Sequence, residues 1–150
     1  MVSMSEPSVH HILPTYDKLS FMSGAVMAYS EAIGFGVKQL GLSSLYSEEE
    51  LEIMLKVINF ASEKYGTFLY VEPDLLKSKL FQRDIAEGKT VVVIANNQKV
   101  LDEYMTLKRL KEESNKKGMS EELELEISKR FGNLLSYDNK TIERLIAKNG

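Results

Sequence analysis

Thr90-Val91-Val92-Val93-Ile94-Ala95 is the stretch of sequence that decides the fold. Five consecutive β-branched residues favour a strand, and an apolar run without polar alternation is typical of a strand that is buried on both faces. Gly88 precedes the run and Asn96-Asn97 follow it, and both residue types commonly interrupt regular structure. We therefore expect a short strand at the centre of the core.

A second strand is predicted upstream at Thr67-Phe68-Leu69-Tyr70-Val71, where β-branched and aromatic residues precede Glu72-Pro73-Asp74. Between the two strands, residues 74–87 are interpreted as a helix of about three turns. A helix of that length suits a right-handed crossover between parallel strands, while antiparallel pairing stays open. The predicted fold class is α/β, mainly helical with about six helices, around a small two-stranded sheet.

Polar side chains follow both predicted strands. Glu72 and Asp74 come after the first strand, and Asn96 and Asn97 come after the second. If the strands are parallel, their carboxyl ends lie together, and ligand clefts of open α/β sheets occur at such ends. Helices that start there would offer backbone donors to an anion. These four residues are the predicted ligand-binding site, and the alternative is that Asp74 and Asn97 merely cap helices.

The remaining helices are predicted from apolar residues that recur at spacings of three and four. Ser47 and Glu50 form a capping box and Gly66 is a C-cap, so the helix at residues 48–65 is the best marked. The other four helices are expected at residues 17–40, 97–117, 120–135 and 138–148.

The predicted helix 17–40 carries a second pattern, a small-residue stripe in which Gly24, Ala28, Ala32 and Gly36 recur every four residues. Small residues at this spacing let another backbone approach closely, and glycine inside a helix costs about 1 kcal/mol relative to alanine. The stripe is therefore expected to have a packing role. Three partners stay open: another helix of the same chain, the same stripe of a second copy in a homodimer, or a ligand.

Residues 120–149 resemble the helix-turn-helix unit of transcription factors. The resemblance rests on Ile127-Ser128-Lys129-Arg130-Phe131-Gly132 and on the polar start of the segment from Asn139 to Ile146. In such units the second helix enters the major groove of DNA. The resemblance implies that four residues face DNA, namely Asn139, Lys140, Thr141 and Arg144.

Two features depart from that unit. The segment from Gly132 to Thr141 is predicted to be longer than its tight turn, and the supporting helix opens with acidic residues that would repel phosphates. These are Glu121, Glu122, Glu124 and Glu126. A plain helical hairpin is the alternative interpretation.

The chain has 150 residues and no cysteine, which suits one domain and excludes disulfides, thiolate-ligated zinc and cysteine nucleophiles. We expect a single globular domain at residues 14–150 after a frayed or docked N-terminal arm at residues 1–13. The arm contains His10-His11, and no further histidine exists to complete a metal site. No metal or cofactor is predicted.

The first twenty residues lack a secretory signal, and the apolar segment 19–45 is interrupted by Glu31 and Lys38. A cytoplasmic protein without a membrane span is therefore expected. The net charge is −3, and residues 76–150 hold 15 basic and 12 acidic side chains. That excess is milder than the basic face of most nucleic-acid-binding modules.

The absence of a catalytic motif favours a non-catalytic binding or assembly module, homodimeric through residues 17–40. One alternative is a ligand-binding protein or enzyme with its pocket at the strand ends. The other is a DNA-binding regulator that uses residues 120–149.

Overall fold

The computed structural model describes residues 12–13 and 15–150. Within them, five α-helices and three β-strands follow one another as α1 (Lys18–Gly34), β1 (Leu40–Leu42), α2 (Glu48–Tyr65), β2 (Phe68–Glu72), β3 (Val91–Ala95), α3 (Gln98–Lys116), α4 (Glu121–Leu134) and α5 (Asn139–Asn149). The expected α/β and mainly helical fold is confirmed. The predicted N-terminal arm with its two histidines lies almost wholly outside the described residues.

The sheet has three antiparallel strands in the order β1-β3-β2. Phe68 pairs with Ala95 and Glu72 pairs with Val91, while Leu40 pairs with Ala95 from the other side. The parallel crossover is therefore wrong and the antiparallel alternative is confirmed. The two-stranded sheet is an underestimate, because β1 has only three residues and starts at Leu40, where the predicted first helix ends.

The first helix ends at Gly34 rather than at residue 40. Gly36 adopts the left-handed conformation, with φ of 80°, and a Schellman motif closes the helix. In this motif the Gly36 N–H donates to the Ile33 carbonyl oxygen at 3.0 Å and the Val37 N–H donates to the Ala32 carbonyl oxygen at 2.9 Å. Gly36 is thus the residue that ends the helix, and it does not continue the small-residue stripe.

Residues 73–89, here called the β2–β3 loop, contain no helix, so the helix predicted at residues 74–87 is wrong. Tertiary contacts hold the loop instead. Leu75, Leu76 and Leu80 are buried in the core. The Leu76 N–H donates to Tyr104 Oη at 3.1 Å, and the Lys79 N–H donates to Ser128 Oγ at 2.9 Å. These bonds replace the backbone hydrogen bonds that a helix would have made.

Strand β3 separates two layers of the core, which confirms that it is buried on both faces. Val92 and Ile94 pack against α1 and α2 on one face. Val91, Val93 and Ala95 pack on the other face, against α3, α4, α5 and the β2–β3 loop. Alternate side chains of a strand point to opposite faces, so β3 contributes to both clusters at once.

Helices α1 and α2 run parallel to each other on the first of these faces. Lys18 pairs with Glu50 at 2.6 Å and Ser23 Oγ lies 3.8 Å from Met54 Sδ, so residues about 31 positions apart lie side by side. Near their C-terminal ends the two helices approach each other closely at Gly34. A Cβ atom there would lie 2.9 Å from Tyr65 Cβ and would collide with the Tyr65 carbonyl oxygen. Gly34 is therefore the glycine that the close crossing of the two helices requires.

The capping box at the start of α2 is confirmed. The Glu50 N–H donates to Ser47 Oγ at 3.2 Å, and the Ser47 N–H donates to Glu50 Oε1 at 3.0 Å. Hydrogen bonds from Lys18 and from the Ser47 backbone lower the pKa of Glu50 to about 2. Gly66 ends α2 in the left-handed conformation, as its C-cap position predicts.

We expect Gly34→Ala to lower the free energy of unfolding by about 1–3 kcal/mol, because the added methyl group meets the backbone of α2 and cannot be accommodated by a side-chain movement. Gly24→Ala is the matched control in the same helix, since a Cβ there meets nothing within 4 Å among the described residues. It should be neutral or stabilising by up to about 1 kcal/mol. Urea denaturation of dilute protein measures both, and equal losses would contradict the assignment.

Candidate functional site

The four predicted ligand-binding residues lie at opposite ends of the sheet. Because β2 and β3 are antiparallel, Glu72 at the end of β2 lies beside Val91 at the start of β3. Asn96 and Asn97 follow the far end of β3, and a five-residue strand is roughly 15 Å long. The parallel pairing that would have made one cleft of Glu72, Asp74, Asn96 and Asn97 is absent, so the structure does not bring them together.

Glu72 is the most deeply buried of the four residues, with 1% of its surface exposed. Its Oε2 accepts hydrogen bonds from Tyr104 Oη at 2.8 Å and from Lys108 Nζ at 2.7 Å. Its Oε1 accepts from the Asp74 N–H at 2.9 Å. Burial raises the pKa of the Tyr104 hydroxyl, which keeps it a neutral donor. Glu72 therefore fixes the start of the β2–β3 loop to α3.

Asp74 does not cap a helix, because none follows it. Its backbone takes part in the same cluster: the N–H reaches Glu72, and the carbonyl oxygen accepts from Lys108 Nζ at 3.0 Å. The residue itself is exposed and borders two small cavities of the loop.

Asn96 and Asn97 have structural partners. The Asn96 side-chain amide donates to the Ile33 carbonyl oxygen at 2.8 Å, near the C-terminal end of α1. The Asn97 side chain accepts the Val100 N–H at 3.1 Å and is the N-cap of α3. The capping alternative is thus confirmed for Asn97, and Asn96 supports the end of a different helix.

Glu72→Gln should cost about 1–3 kcal/mol of unfolding free energy, because it removes the charge that the Lys108 ammonium group and the Tyr104 hydroxyl are arranged around. Glu103→Gln is the matched control. Glu103 pairs with Arg130 at 2.6 Å, but both side chains are about one-third exposed, so this change should cost roughly 1 kcal/mol or less. Chemical denaturation compares the two variants. A similar loss in both would refute the anchoring role of Glu72.

The small-residue stripe faces outward on α1. Gly24 and Ala28 are exposed and Ala32 is half-buried, while Gly36 lies beyond the end of the helix. Gly24 has open space around it within the part of the chain that the structure describes. The intramolecular crossing expected of the stripe is made by Gly34 instead.

Large apolar side chains surround the stripe. Phe21 and Tyr29 are 49% and 45% exposed on α1, and Phe35 and Val37 just after it are 72% and 78% exposed. The 17 residues of α1 include two formal charges, at its two ends. Lys18 is bound to Glu50, and Glu31 accepts from Tyr65 Oη at 3.4 Å. The outer face of α1 is therefore almost uncharged.

Helix α2 adds an apolar row on the side next to α1. Ile53, Val57 and Phe60 follow one another at helical spacing, and Phe60 is 60% exposed. The offset of about 31 residues between the helices places Ile53 beside the level of Phe21 or Met22 and Phe60 beside the level of Ala28 or Tyr29. Together these side chains form the α1–α2 face, defined by Phe21, Gly24, Ala25, Ala28, Tyr29, Ala32, Phe35, Ile53, Val57 and Phe60.

Sequence patterns missed most of this face for a physical reason. Tyr29 fits the apolar spacing of the core-facing stripe, although almost half of it is exposed. A helix that is apolar on both sides shows no preferred direction in its sequence. The available signal is the scarcity of charge in residues 18–34, which is unusual for a helix with one face open to solvent.

The two C-terminal helices are joined by a short connection. Only residues 135–138 separate α4 from α5, and Ser136 turns the chain with a φ of 65°. The prediction of a long connection is wrong, because both helices extend into it. A Cβ on Gly132 would lie 2.6 Å from Ile142 Cγ1, so the glycine allows the two helices to pack closely. Of the residues implied to face DNA, Asn139, Lys140 and Arg144 are exposed and Thr141 is half-buried.

Among residues 12–13 and 15–150, the acidic side chains form no group of three or more that could hold a metal ion. Of the helices described, none is both long enough and apolar enough to cross a membrane.

Comparison of the chain with protein-family models, with curated proteins and with solved structures finds no significant match.

Proposed function

We propose that this protein is a non-catalytic assembly module that forms a homodimer through the α1–α2 face. The observation that carries the proposal is the exposure of Gly24 and Ala28 between large apolar side chains of α1 and α2. Large exposed apolar patches on a protein surface commonly mark interaction sites. Small residues at a helix surface let a second helix approach closely, as the stripe predicts.

A second copy is the occupant that this face suits best. In a two-fold dimer the same patch lies opposite itself, so a patch with few charges meets little repulsion. Lys18 is paired with Glu50, and the one remaining charge of α1 is Glu31, which accepts a hydrogen bond from Tyr65 Oη near the end of the helix. The small stripe of one copy would leave room for the bulky side chains of the other.

The area of the α1–α2 face determines which residues the proposed dimer interface must include. A helix of 17 residues is about 26 Å long and about 10 Å wide, so α1 alone offers roughly 260 Å² in outline. Stable interfaces bury roughly 800 Å² per partner. The apolar row of α2 and Phe35 about double this projected area. Because side chains make the accessible surface larger than its projection, the combined face approaches the area that a stable interface buries. The dimer therefore needs Phe60 as well as the stripe.

The proposal is tested by sedimentation velocity from about 1 to 500 µM, a range that brackets a dissociation constant of about 10 µM, or roughly −7 kcal/mol. The wild-type chain should change from monomer to dimer over this range. Ala28→Glu should weaken the dimer by about a hundredfold or more, because it buries an unpaired carboxylate. Phe60→Ser should weaken it by about tenfold through lost apolar contact.

Ala147→Glu is the matched control, since Ala147 is exposed on α5, far along the chain from the face. It should leave the association unchanged. Circular dichroism checks that each variant is folded. A wild-type monomer at the highest concentration would refute the homodimer, as would equal effects of Ala28→Glu and Ala147→Glu.

DNA binding through α5 is the second candidate function, favoured by the four-residue turn between α4 and α5. Turns of three or four residues are characteristic of helix-turn-helix units. Lys140 and Arg144 lie one helical turn apart on the exposed side of α5. The acidic start of α4 opposes this candidate, which is why it ranks second.

Fluorescence anisotropy with duplex DNA tests the second candidate. Binding should weaken steeply as salt rises, because each phosphate contact releases counterions, with a slope of about −0.9 per contact. Replacing Lys140 and Arg144 by glutamine should reduce both the affinity and the slope. The same replacement of exposed Lys56 and Lys64 on α2 should not. No binding at low salt, or binding insensitive to salt, would exclude this function.

A further inference from the structure

The β2–β3 loop is held in place by side chains from three helices, although it contains no regular structure. Tyr104 of α3 accepts the Leu76 N–H, and Ser128 of α4 accepts the Lys79 N–H. The side-chain amide of Asn149, at the end of α5, donates to the Leu80 carbonyl oxygen at 3.0 Å. Irregular segments of this length in a compact protein are usually functional. These hydrogen bonds fix the backbone of the β2–β3 loop, and with it the residues that lie between its buried leucines.

Three cationic residues lie on the β2–β3 loop. Lys77 and Lys79 alternate with Ser78 between the buried Leu76 and Leu80, and Arg83 follows. Their side chains form no ion pair with any residue that the structure describes. By contrast, Lys108 and Lys111 on α3 are each paired with a buried carboxylate. The loop therefore carries cations that are available to an external anion.

These cations border a groove of about 600 Å³ between the loop, the start of α4 and the end of α5. This volume is within the usual range for small-molecule sites. Phe81 and Met119 supply apolar surface, and Asn115 supplies an amide. The N-terminus of α4 borders the same groove at Glu121, with the positive end of its helix dipole.

The acidic groups of the groove do not cancel its cations. Glu124 accepts from Lys111 Nζ at 2.5 Å and from Ser114 Oγ at 2.6 Å, so its charge is already satisfied. Glu121 also borders the groove. Lys77, Lys79, Arg83 and Lys111 outnumber these two acidic side chains, and the first three are unpaired among the described residues.

We infer that this groove binds a small molecule that carries a multiply charged anionic group, either phosphate or carboxylate. Lysine and arginine side chains recognise both groups through charge-assisted hydrogen bonds, and arginine can do so with two parallel bonds. Because the loop backbone is already fixed, binding orders only the ends of long side chains. The inference is independent of the α1–α2 face, which lies on the other side of the sheet.

Isothermal titration calorimetry of the full chain tests the inference with two probes, inorganic pyrophosphate and citrate, at constant ionic strength. At least one should bind, and the stronger of the two identifies the anionic group. In the variant with Lys77, Lys79 and Arg83 replaced by glutamine, that affinity should fall by about tenfold or more. The affinity should also fall as salt rises, because the contacts are between exposed charges.

A matched control variant replaces Lys56, Lys99 and Lys140 by glutamine, which changes the net charge equally at exposed positions away from the groove. Its affinity should stay within about twofold of the wild type. Thermal unfolding confirms that both triple variants are folded. The absence of binding by both probes, or an equal loss in the two triple variants, would overturn the inference.

Discussion

Strand β3 has to be covered on both faces, and the remaining elements are arranged to meet that requirement. Its five residues are all buried, and each valine or isoleucine contributes roughly 1.5–3 kcal/mol when it leaves water. Two strands flank β3, α1 and α2 cover one face, and the later helices with the β2–β3 loop cover the other. A three-stranded sheet is too small to be stable alone, so its stability depends on these two layers.

Polar groups complete the second layer, because apolar burial alone would not fix an irregular loop. Glu72 is buried at the end of β2. The Lys108 ammonium group compensates its charge, and the Tyr104 hydroxyl and a backbone N–H donate further hydrogen bonds to its oxygens. Glu124 shows the same arrangement with Lys111 and Ser114 on the neighbouring side of α3. An unpaired buried carboxylate would cost several kcal/mol. Each of these two glutamates is therefore stable only when the surrounding residues hold its hydrogen-bond donors in place.

Sequence patterns predicted the elements whose information is local. The capping box and apolar spacing gave residues 48–65, which match α2, and the uniform run at Thr90–Ala95 gave β3. The β2–β3 loop resembles a helix in its sequence because its deciding partners are distant. The N–H groups of Leu76 and Lys79 donate to side chains 28 and 49 residues away, and the Leu80 carbonyl oxygen accepts from a side chain 69 residues away. The predicted site at the strand ends failed for a related reason. It depended on parallel pairing, and residue type does not reveal whether two strands run parallel.

The direction of the exposed apolar residues on α2 argues that the α1–α2 face is a specific surface. Among the exposed polar side chains of α2, Glu52, Lys56 and Glu63 occupy the flank away from α1, whereas Ile53, Val57 and Phe60 occupy the flank next to it. Exposed Glu49 and Lys64 lie at the two ends of this apolar row. Scattered apolar exposure would fall on both flanks. Here it continues the uncharged outer face of α1 across the boundary between two helices. This continuity between two separate segments of sequence is what the proposed dimer contact needs, and neither helix requires it for its own packing.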